Sequence, residues 1–174
     1  MNAVTPIRAA SANPAWDEAT NAVNAWRGNV LHIFAETEMA VSETLLVLAQ
    51  VPKRGSSVQL RRLVGQRFED LRSAVAAEGA FAKEGLKARV ALAHFQVHDA
   101  LRPALCHGKA KVGLDRNGDW MVSFKVLAFR SRQPERMTTA LDKREAEDIV
   151  KSLRRDSQRL VTALGQLRAG LRPD

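Results

Sequence analysis

The residues in this sequence whose types and spacing best suit chemistry on a phosphate are Arg102 and His107, with Asp99 close by. An imidazole can move a proton to or from a hydroxyl near neutral pH, and a guanidinium neutralises charge that develops on a phosphate. Asp99 lies three positions before Arg102 and so shares its helical face. Arg102 and His107 can share a side of a helix if Pro103 distorts the turn. This set suits metal-independent cleavage of RNA.

The same spacing also has a purely structural interpretation. Arg102 and Asp99 then form a surface ion pair, and His107 stabilises the C-terminal end of its helix, where the helix dipole favours a cation. Both interpretations place the three residues near a helix end.

Two other candidates for chemistry are weaker. His94 and His98 are four positions apart and can share a helix face as metal ligands do, but no third ligand is evident, so we predict no metal site and no cofactor. Cys106 directly precedes His107, and adjacent side chains diverge on a helix, so a buried structural thiol is expected.

The apolar periodicity predicts one mainly α-helical domain over residues 13–174, after a flexible leader over residues 1–12. Asn13 and Pro14 mark the start of a long helix that runs to Gln50. The other helix boundaries follow from capping residues, prolines and apolar spacing. The second helix is predicted to start at a capping box formed by Ser56 and Gln59. The third is predicted to run from Leu86 to an end near Pro103–Gly108, and the last to start at Thr139 with Asp142.

A two-residue alternation predicts a β-hairpin over about residues 110–129, before the last helix. Asn117 and Gly118 suit its tight turn. Trp120 and Phe124 alternate with valines on one face, which favours packing on the helices over stacking on bases. A basic loop is expected from Arg130 to Arg136. The second helix is expected to bury Leu60, Leu63, Val64, Phe68, Leu71 and Val75, and the third to present Leu86, Val90, Phe95, Leu101 and Leu105.

The segment Asp99-Ala-Leu-Arg102-Pro-Ala-Leu-Cys-His107-Gly108 resembles the HEPN superfamily (higher eukaryotes and prokaryotes nucleotide-binding). The resemblance implies a HEPN-like four-helix bundle, here with the hairpin inserted before the last helix. It also implies a homodimer with an endoribonuclease site where the subunits meet, in which Arg102 and His107 are the catalytic pair and Asp99 supports them. Pro103 departs from the family, which often has a polar residue there. A toxin or defence role with an antitoxin or other regulatory partner follows from the resemblance alone.

The charge favours polyanionic partners, since the net charge is +8 and the sequence pI is near 10.4. Solvated helix faces are the alternative explanation of this surplus. The residues predicted to bind RNA are Lys109, Lys111, Arg130 and Arg132, and further cations that could extend the surface are Lys53, Arg54, Arg61, Arg62, Arg67, Arg72, Arg116, Lys125 and Arg136.

Other function classes are disfavoured. Phosphate-binding glycine loops, nucleophile elbows and dinucleotide fingerprints are missing, and no run of about 18 apolar residues predicts a membrane span. The single cysteine suits a reducing compartment, so a cytoplasmic location is the default expectation. The alternative function is a non-catalytic helical dimerisation or protein-interaction module; a DNA-binding protein is supported by charge alone.

Overall fold

The computed structural model describes residues 13–130 and 133–171, with the backbone alone for residues 128–130. In this part of the chain the fold is mainly helical, with one three-stranded antiparallel sheet of order β1-β2-β3. The expected leader over residues 1–12 lies outside the described residues. The elements in chain order are α1 (Pro14–Ala49), α2 (Val64–Val75), α3 (Leu86–Gln96), α4 (Leu101–His107), β1 (Lys109–Leu114), β2 (Trp120–Arg130), β3 (Gln133–Asp142) and α5 (Lys143–Ala169), with a 3-10 turn at Gly55–Ser57.

The long first helix is confirmed, and α1 organises the core. Asn13 is its extended N-cap and Pro14 its first residue, where a missing N–H costs nothing. Its buried side packs on the sheet near Trp26 and on the other helices near Phe34, whose ring meets Phe95 edge-on at 5.8 Å. Helix α1 therefore packs against both the sheet and the other helices.

The predicted start of the second helix is wrong. Ser56 belongs to the 3-10 turn, and its hydroxyl donates to the Lys53 carbonyl instead of capping a helix. The buried carboxylate of Asp70 accepts from both the backbone N–H and the side chain of Arg61, and this holds the preceding segment folded back on α2. Helix α2 therefore begins only at Val64, which is half-buried. Phe68, Leu71 and Val75 are buried as predicted, whereas Leu60 and Leu63 are exposed.

The predicted third helix is two helices. Residues 97–100 interrupt it with backbone hydrogen bonds of the three-residue type, such as His98 N to Phe95 O at 3.1 Å. A continuous helix would place the ring of Pro103 against the carbonyl of Asp99. The restart at Leu101 puts Pro103 in the first turn of α4, where proline is tolerated. Of the predicted core positions of this region, Phe95 and Leu105 are buried, Leu101 is half-buried, and Leu86 and Val90 are exposed.

The hairpin is confirmed as β1 and β2, joined by a turn in which Gly118 has a φ of +82°. Asp115 Oδ1 accepts from the backbone N–H groups of Asn117 and Asp119 and so fixes the turn. The predicted inward orientation of Phe124 is confirmed, since it is fully buried, and the half-buried Trp120 packs at 6.2 Å from Trp26.

The predicted basic loop from Arg130 to Arg136 is wrong at its described positions, because Arg130 ends β2 and residues 133–136 belong to β3. Its remaining positions, 131 and 132, lie outside the described residues. β3 pairs with β2 from Met121 opposite Asp142 to Arg130 opposite Gln133. Pro134 is compatible with this assignment because β3 is an edge strand. The last helix consequently begins after Asp142, which forms a reciprocal capping box with Glu145, and not at Thr139, which lies within β3.

Candidate nucleic-acid interface

Arg102 is held against α1. Its Nε donates to Oε1 of Glu38, whose side chain is only 16% exposed. The predicted ion pair with Asp99 is therefore wrong, since the partner comes from a helix 64 positions away in sequence. No local spacing could have indicated that partner.

His107 is the last residue of α4 and is exposed. Pro103 does not distort the turn between Arg102 and His107, which stays α-helical. Five positions of an α-helix correspond to a rotation of about 140° and a rise of about 7.5 Å. The two residues of the motif therefore lie on different sides of α4 within one chain.

Asp99 lies at the surface in the connection before α4. Neighbouring atoms exclude part of its water, and this raises the pKa of the Asp99 carboxyl above its usual value. The carboxylate of Glu69 raises the same pKa, while His98, Arg102 and Arg72 lower it. Asp99 thus belongs to the electrostatic surroundings of Arg102 without bonding to it.

Arg27 fixes the end of α4, and no pattern in the sequence indicated this role. Arg27 of α1 donates through Nε to the Leu105 carbonyl at 2.7 Å, and its guanidinium also lies 5.8 Å from the centre of the Phe124 ring. Carbonyl groups in the last turn of a helix lack helical partners, so this bond satisfies one of them. Arg27 therefore fixes the point from which His107 and β1 emerge.

Among the described side chains, four exposed cations lie on the outer face of the sheet. Lys109 and Lys111 of β1 alternate with inward residues, and the register places Lys109 directly opposite Lys125 of β2. Arg136 of β3 lies on the same face, opposite Leu127. We call Lys109, Lys111, Lys125 and Arg136 the cationic sheet face. Asp142, an acid on this face, is engaged in the capping box of α5.

Of the residues predicted to bind RNA, the structure places two on this face. Lys109 and Lys111 belong to it, whereas Arg132 and the side chain of Arg130 lie outside the described residues. Lys125 and Arg136 join them through strand pairing. The period-two pattern indicated that Lys125 faces outward, but the role of Arg136 requires the third strand.

Several cations near α2 have partners within the chain instead. Arg54 pairs with Glu84 at 2.7 Å and Arg61 with the buried Asp70. Arg67 donates to the hydroxyl of Ser42 at 2.8 Å, and Arg72 pairs with Glu69. Arg61 and Arg67 anchor the segment before α2, and all four arginines have partners within the chain, which distinguishes them from the cationic sheet face.

A polar cluster is centred on a buried carboxylate of α5, and no pattern in the sequence indicated it. Asp156 is 4% exposed and accepts from Arg155 Nε at 3.0 Å, and His98 Nε2 lies 3.1 Å from its other oxygen. The Arg155 hydrogen bond holds the pKa of Asp156 below its usual value; burial opposes this and His98 adds to it. We call His98, Arg155 and Asp156 the α5 ion cluster. It ties the connection before α4 to α5.

His94, which the sequence could pair with His98, is exposed on α3 and lines a different surface. Within residues 13–130 and 133–171, no three His, Cys, Asp or Glu side chains are grouped as metal ligands would be. Cys106 is half-buried. Among the described helices, none combines the length and apolar character that crossing a membrane requires.

Comparison with known proteins yields no match to a family model, to a curated protein or to a solved structure.

Proposed function

We propose that this chain is a HEPN-like RNA-binding protein that holds RNA on the cationic sheet face, next to His107. The observation that carries the proposal is the pairing of Lys109 opposite Lys125. Like charges directly opposite each other weaken a sheet, so the fold gains nothing from this pair. A phosphate between the two ammonium groups turns the repulsion into attraction.

The shape of the sheet face supports contact with a nucleic-acid backbone. Lys109 and Lys111 are two positions apart on one strand, which separates them by about 6.6 Å. The residues among the cations are Ser123, Thr138 and Leu127; the first two are small, and the exposed Leu127 lies opposite Arg136. The choice of RNA over DNA rests on the resemblance of the Arg102–His107 segment to HEPN proteins.

The proposal extends to metal-independent cleavage by a homodimer with a HEPN-like four-helix core. Because Arg102 and His107 diverge on α4, we place each site between Arg102 of one chain and His107 of another. His107 removes the proton from a 2′-hydroxyl, and the 2′-oxygen forms a bond to phosphorus while Arg102 neutralises the phosphate. The bond from phosphorus to the 5′-oxygen breaks, that oxygen takes a proton from solvent water, and His107 releases to solvent the proton that it accepted. The products are a 2′,3′-cyclic phosphate and a 5′-hydroxyl.

Binding is tested by fluorescence anisotropy with labelled single-stranded RNA over a range of salt concentrations. Replacing both Lys109 and Lys125 with glutamine should weaken binding about tenfold and reduce the salt slope by about 0.7 for each phosphate that is no longer neutralised. The matched control removes the same charge at the exposed Lys53 and Lys83. Lys53 was a sequence-based candidate for the RNA surface, but it lies in the turn after α1 and not on the sheet. Equal weakening in the two double variants would mean that net charge alone attracts RNA. A DNA strand of the same sequence tests the choice of nucleic acid.

Cleavage is tested in the presence of chelator with His107→Ala and Arg102→Ala, each checked for folding. Both variants should be inactive alone, and RNA with a 2′-deoxy group at the cut position should resist the unmodified protein. If the site is shared between chains, mixing the two variants restores activity, because mixed dimers contain one intact Arg102–His107 pair. Mixed samples that stay inactive while the unmodified protein cleaves would reject the shared site.

A second candidate function, a protein-interaction module, is favoured by a separate observation. Leu86 and Val90 are exposed beside a row of cations on α5, on a surface that shares no residue with the cationic sheet face.

A further inference from the structure

An open groove of about 1220 Å³ runs between α3 and α5. One wall comes from α3 and the other from α5, and both are formed by side chains on one face of each helix. The lining residues are Leu86, Lys87, Val90, Ala91, His94, Lys151, Arg154, Arg155, Gln158, Arg159, Thr162, Ala163 and Gln166. We call this surface the basic groove.

The α3 wall of the basic groove is largely apolar. Leu86 and Val90 are each 51% exposed and lie one helical turn apart. The expected role of these side chains is core packing, yet they face the groove instead. Isolated exposed apolar residues are ordinary, but two adjacent ones along a groove form a surface that gains free energy when covered.

The α5 wall is cationic, and none of the described residues that line the groove is acidic. Arg155 is occupied by the buried Asp156, and Lys151 contacts Asp148 beside the groove at 3.1 Å. Arg159 lies 3.9 Å from Asp156, at the limit of an ion pair.

Two further cations of the groove contact neutral amides. Arg154 donates to Asn29 and Lys87 to Gln166, each at 3.3 Å. The cations lining the groove therefore outnumber the carboxylates near them, so positive charge remains to attract an acidic ligand.

We propose that the basic groove binds an acidic amphipathic helix of a partner protein. A helix lying in a groove presents apolar side chains at intervals of three and four residues to one wall and its remaining side chains to the other. Here the apolar stripe of such a helix covers Leu86 and Val90, and its carboxylates face Arg154 and Arg159. The distribution of both charge and apolar surface across the groove matches this ligand.

The dimensions of the groove agree with a helix as occupant. Its α5 wall extends from Lys151 to Gln166, a rise of about 22 Å, which is the length of about four helical turns. The neighbouring side chains Leu86 and Val90 offer no polar group to a phosphate backbone, so this part of the α3 wall suits a peptide better than a nucleic acid.

The probe is a fluorescent designed peptide of about 16 residues, with leucines at positions i, i+3, i+4 and i+7 and glutamates on the opposite side. It is titrated with the full chain and followed by anisotropy, beside a scrambled peptide of the same composition. We expect the amphipathic peptide to bind at least about tenfold more tightly than the scrambled one, a difference of about 1.4 kcal/mol. Amide chemical shifts should change along α3 and α5.

Two variants test the two walls separately. Replacing both Arg154 and Arg159 with glutamine should weaken peptide binding about tenfold, and Val90→Gln should weaken it about fivefold, since each removes one kind of complementarity. The exposed Lys53 and Lys83, replaced together by glutamine, again provide the charge-matched control. Circular dichroism verifies that each variant folds.

Three results would overturn the proposal. Equal binding of the scrambled peptide would show attraction by charge alone. Displacement of the peptide by single-stranded RNA, with RNA binding abolished in the groove variants, would show a nucleic-acid site. Loss of self-association in the Arg154 and Arg159 variant would show that a second copy of this chain occupies the groove. The sheet variants at Lys109 and Lys125 should leave peptide binding unchanged, so the RNA proposal and this one fail independently.

Discussion

The α5 ion cluster and the cationic sheet face use charge in opposite ways. In the cluster, the buried carboxylate of Asp156 is contacted by His98 and Arg155. On the sheet face, Lys109 and Lys125 oppose each other in water. The first arrangement lowers the free energy of the folded state, because a buried charge is tolerated only with partners. The second raises it, because like charges repel.

This difference separates charges that hold the fold from charges that are available for a ligand. Removing a charge from the cluster should lower stability, whereas removing one from the sheet face should raise it and weaken binding. Arg102 combines both uses, since it pairs with Glu38 and is also assigned to the phosphate in the proposed site, whereas His107 is exposed. Stability and binding measured together can therefore assign a role to each charge.

The largest effect is expected for Asp156→Ala. This change leaves His98 without its buried partner and loosens the connection before α4, and we expect the free energy of unfolding to fall by about 3 kcal/mol. Urea denaturation followed by circular dichroism measures it. The control is Asp148→Ala, an exposed acid on the same helix, which should change stability by less than about 0.5 kcal/mol.

The contribution of the α5 ion cluster to the free energy of unfolding depends on pH because of the Asp156 carboxylate. Since the pKa of Asp156 is lower in the folded chain than in the unfolded chain, its contribution is fully present above about pH 4 and is lost as the pH falls through the folded pKa. The Asp156→Asn variant should lack this component of acid destabilisation. Parallel curves for the two proteins between about pH 2 and pH 5 would contradict the lowered pKa.

A smaller effect distinguishes the two residues of the motif. Arg102→Ala leaves the mostly buried carboxylate of Glu38 without its partner, so stability should fall by about 1.5 kcal/mol. His107→Ala removes an exposed side chain and should change stability by less than about 0.5 kcal/mol. Thermal unfolding at pH 7 measures both. Equal destabilisation would mean that His107 also supports the fold.

The smallest effect has the opposite sign. Lys125→Gln removes the repulsion across the strands, and we expect the chain to gain about 0.3 kcal/mol of stability in low salt. The gain should shrink as salt is added, since exposed charges are screened. A salt-independent decrease in stability would show that Lys125 makes a favourable contact, and it would remove the main support for RNA binding on this face.

The elements that could be predicted from the sequence are those whose determinants are local. The periodicity of α1 and the turn residues of the hairpin operate within a few positions, and both elements are confirmed. The start of α2 was missed because it depends on Asp70, which draws Arg61 back across nine positions. β3 was missed because its pairing with β2 compensates for a sequence that contains Pro134 and several charges.

The candidate site was predicted only in part for the same reason. The residue types and the exposure of Lys109 and Lys111 follow from the sequence and the strand alternation. The partner of Arg102 lies 64 positions away on α1, and Arg27 lies 78 positions from the carbonyl that it holds, so no local pattern contains either contact. Pro103 predicted a distorted helical turn. In the structure the helix is instead interrupted before Pro103 and starts again at Leu101.

The packing of Trp26 between the helices and the sheet gives the chain an internal optical probe. The indole N–H of Trp26 donates to the Ala146 carbonyl at 2.8 Å, and its ring lies 6.2 Å from both Trp120 and Phe124. The sequence has three tryptophans and no tyrosine, so emission excited at wavelengths that phenylalanine does not absorb arises from the indoles alone. Undocking of the sheet exposes two of them to water together and shifts their emission to the red. Tryptophan fluorescence therefore reports whether the sheet is packed on α1, without an added label.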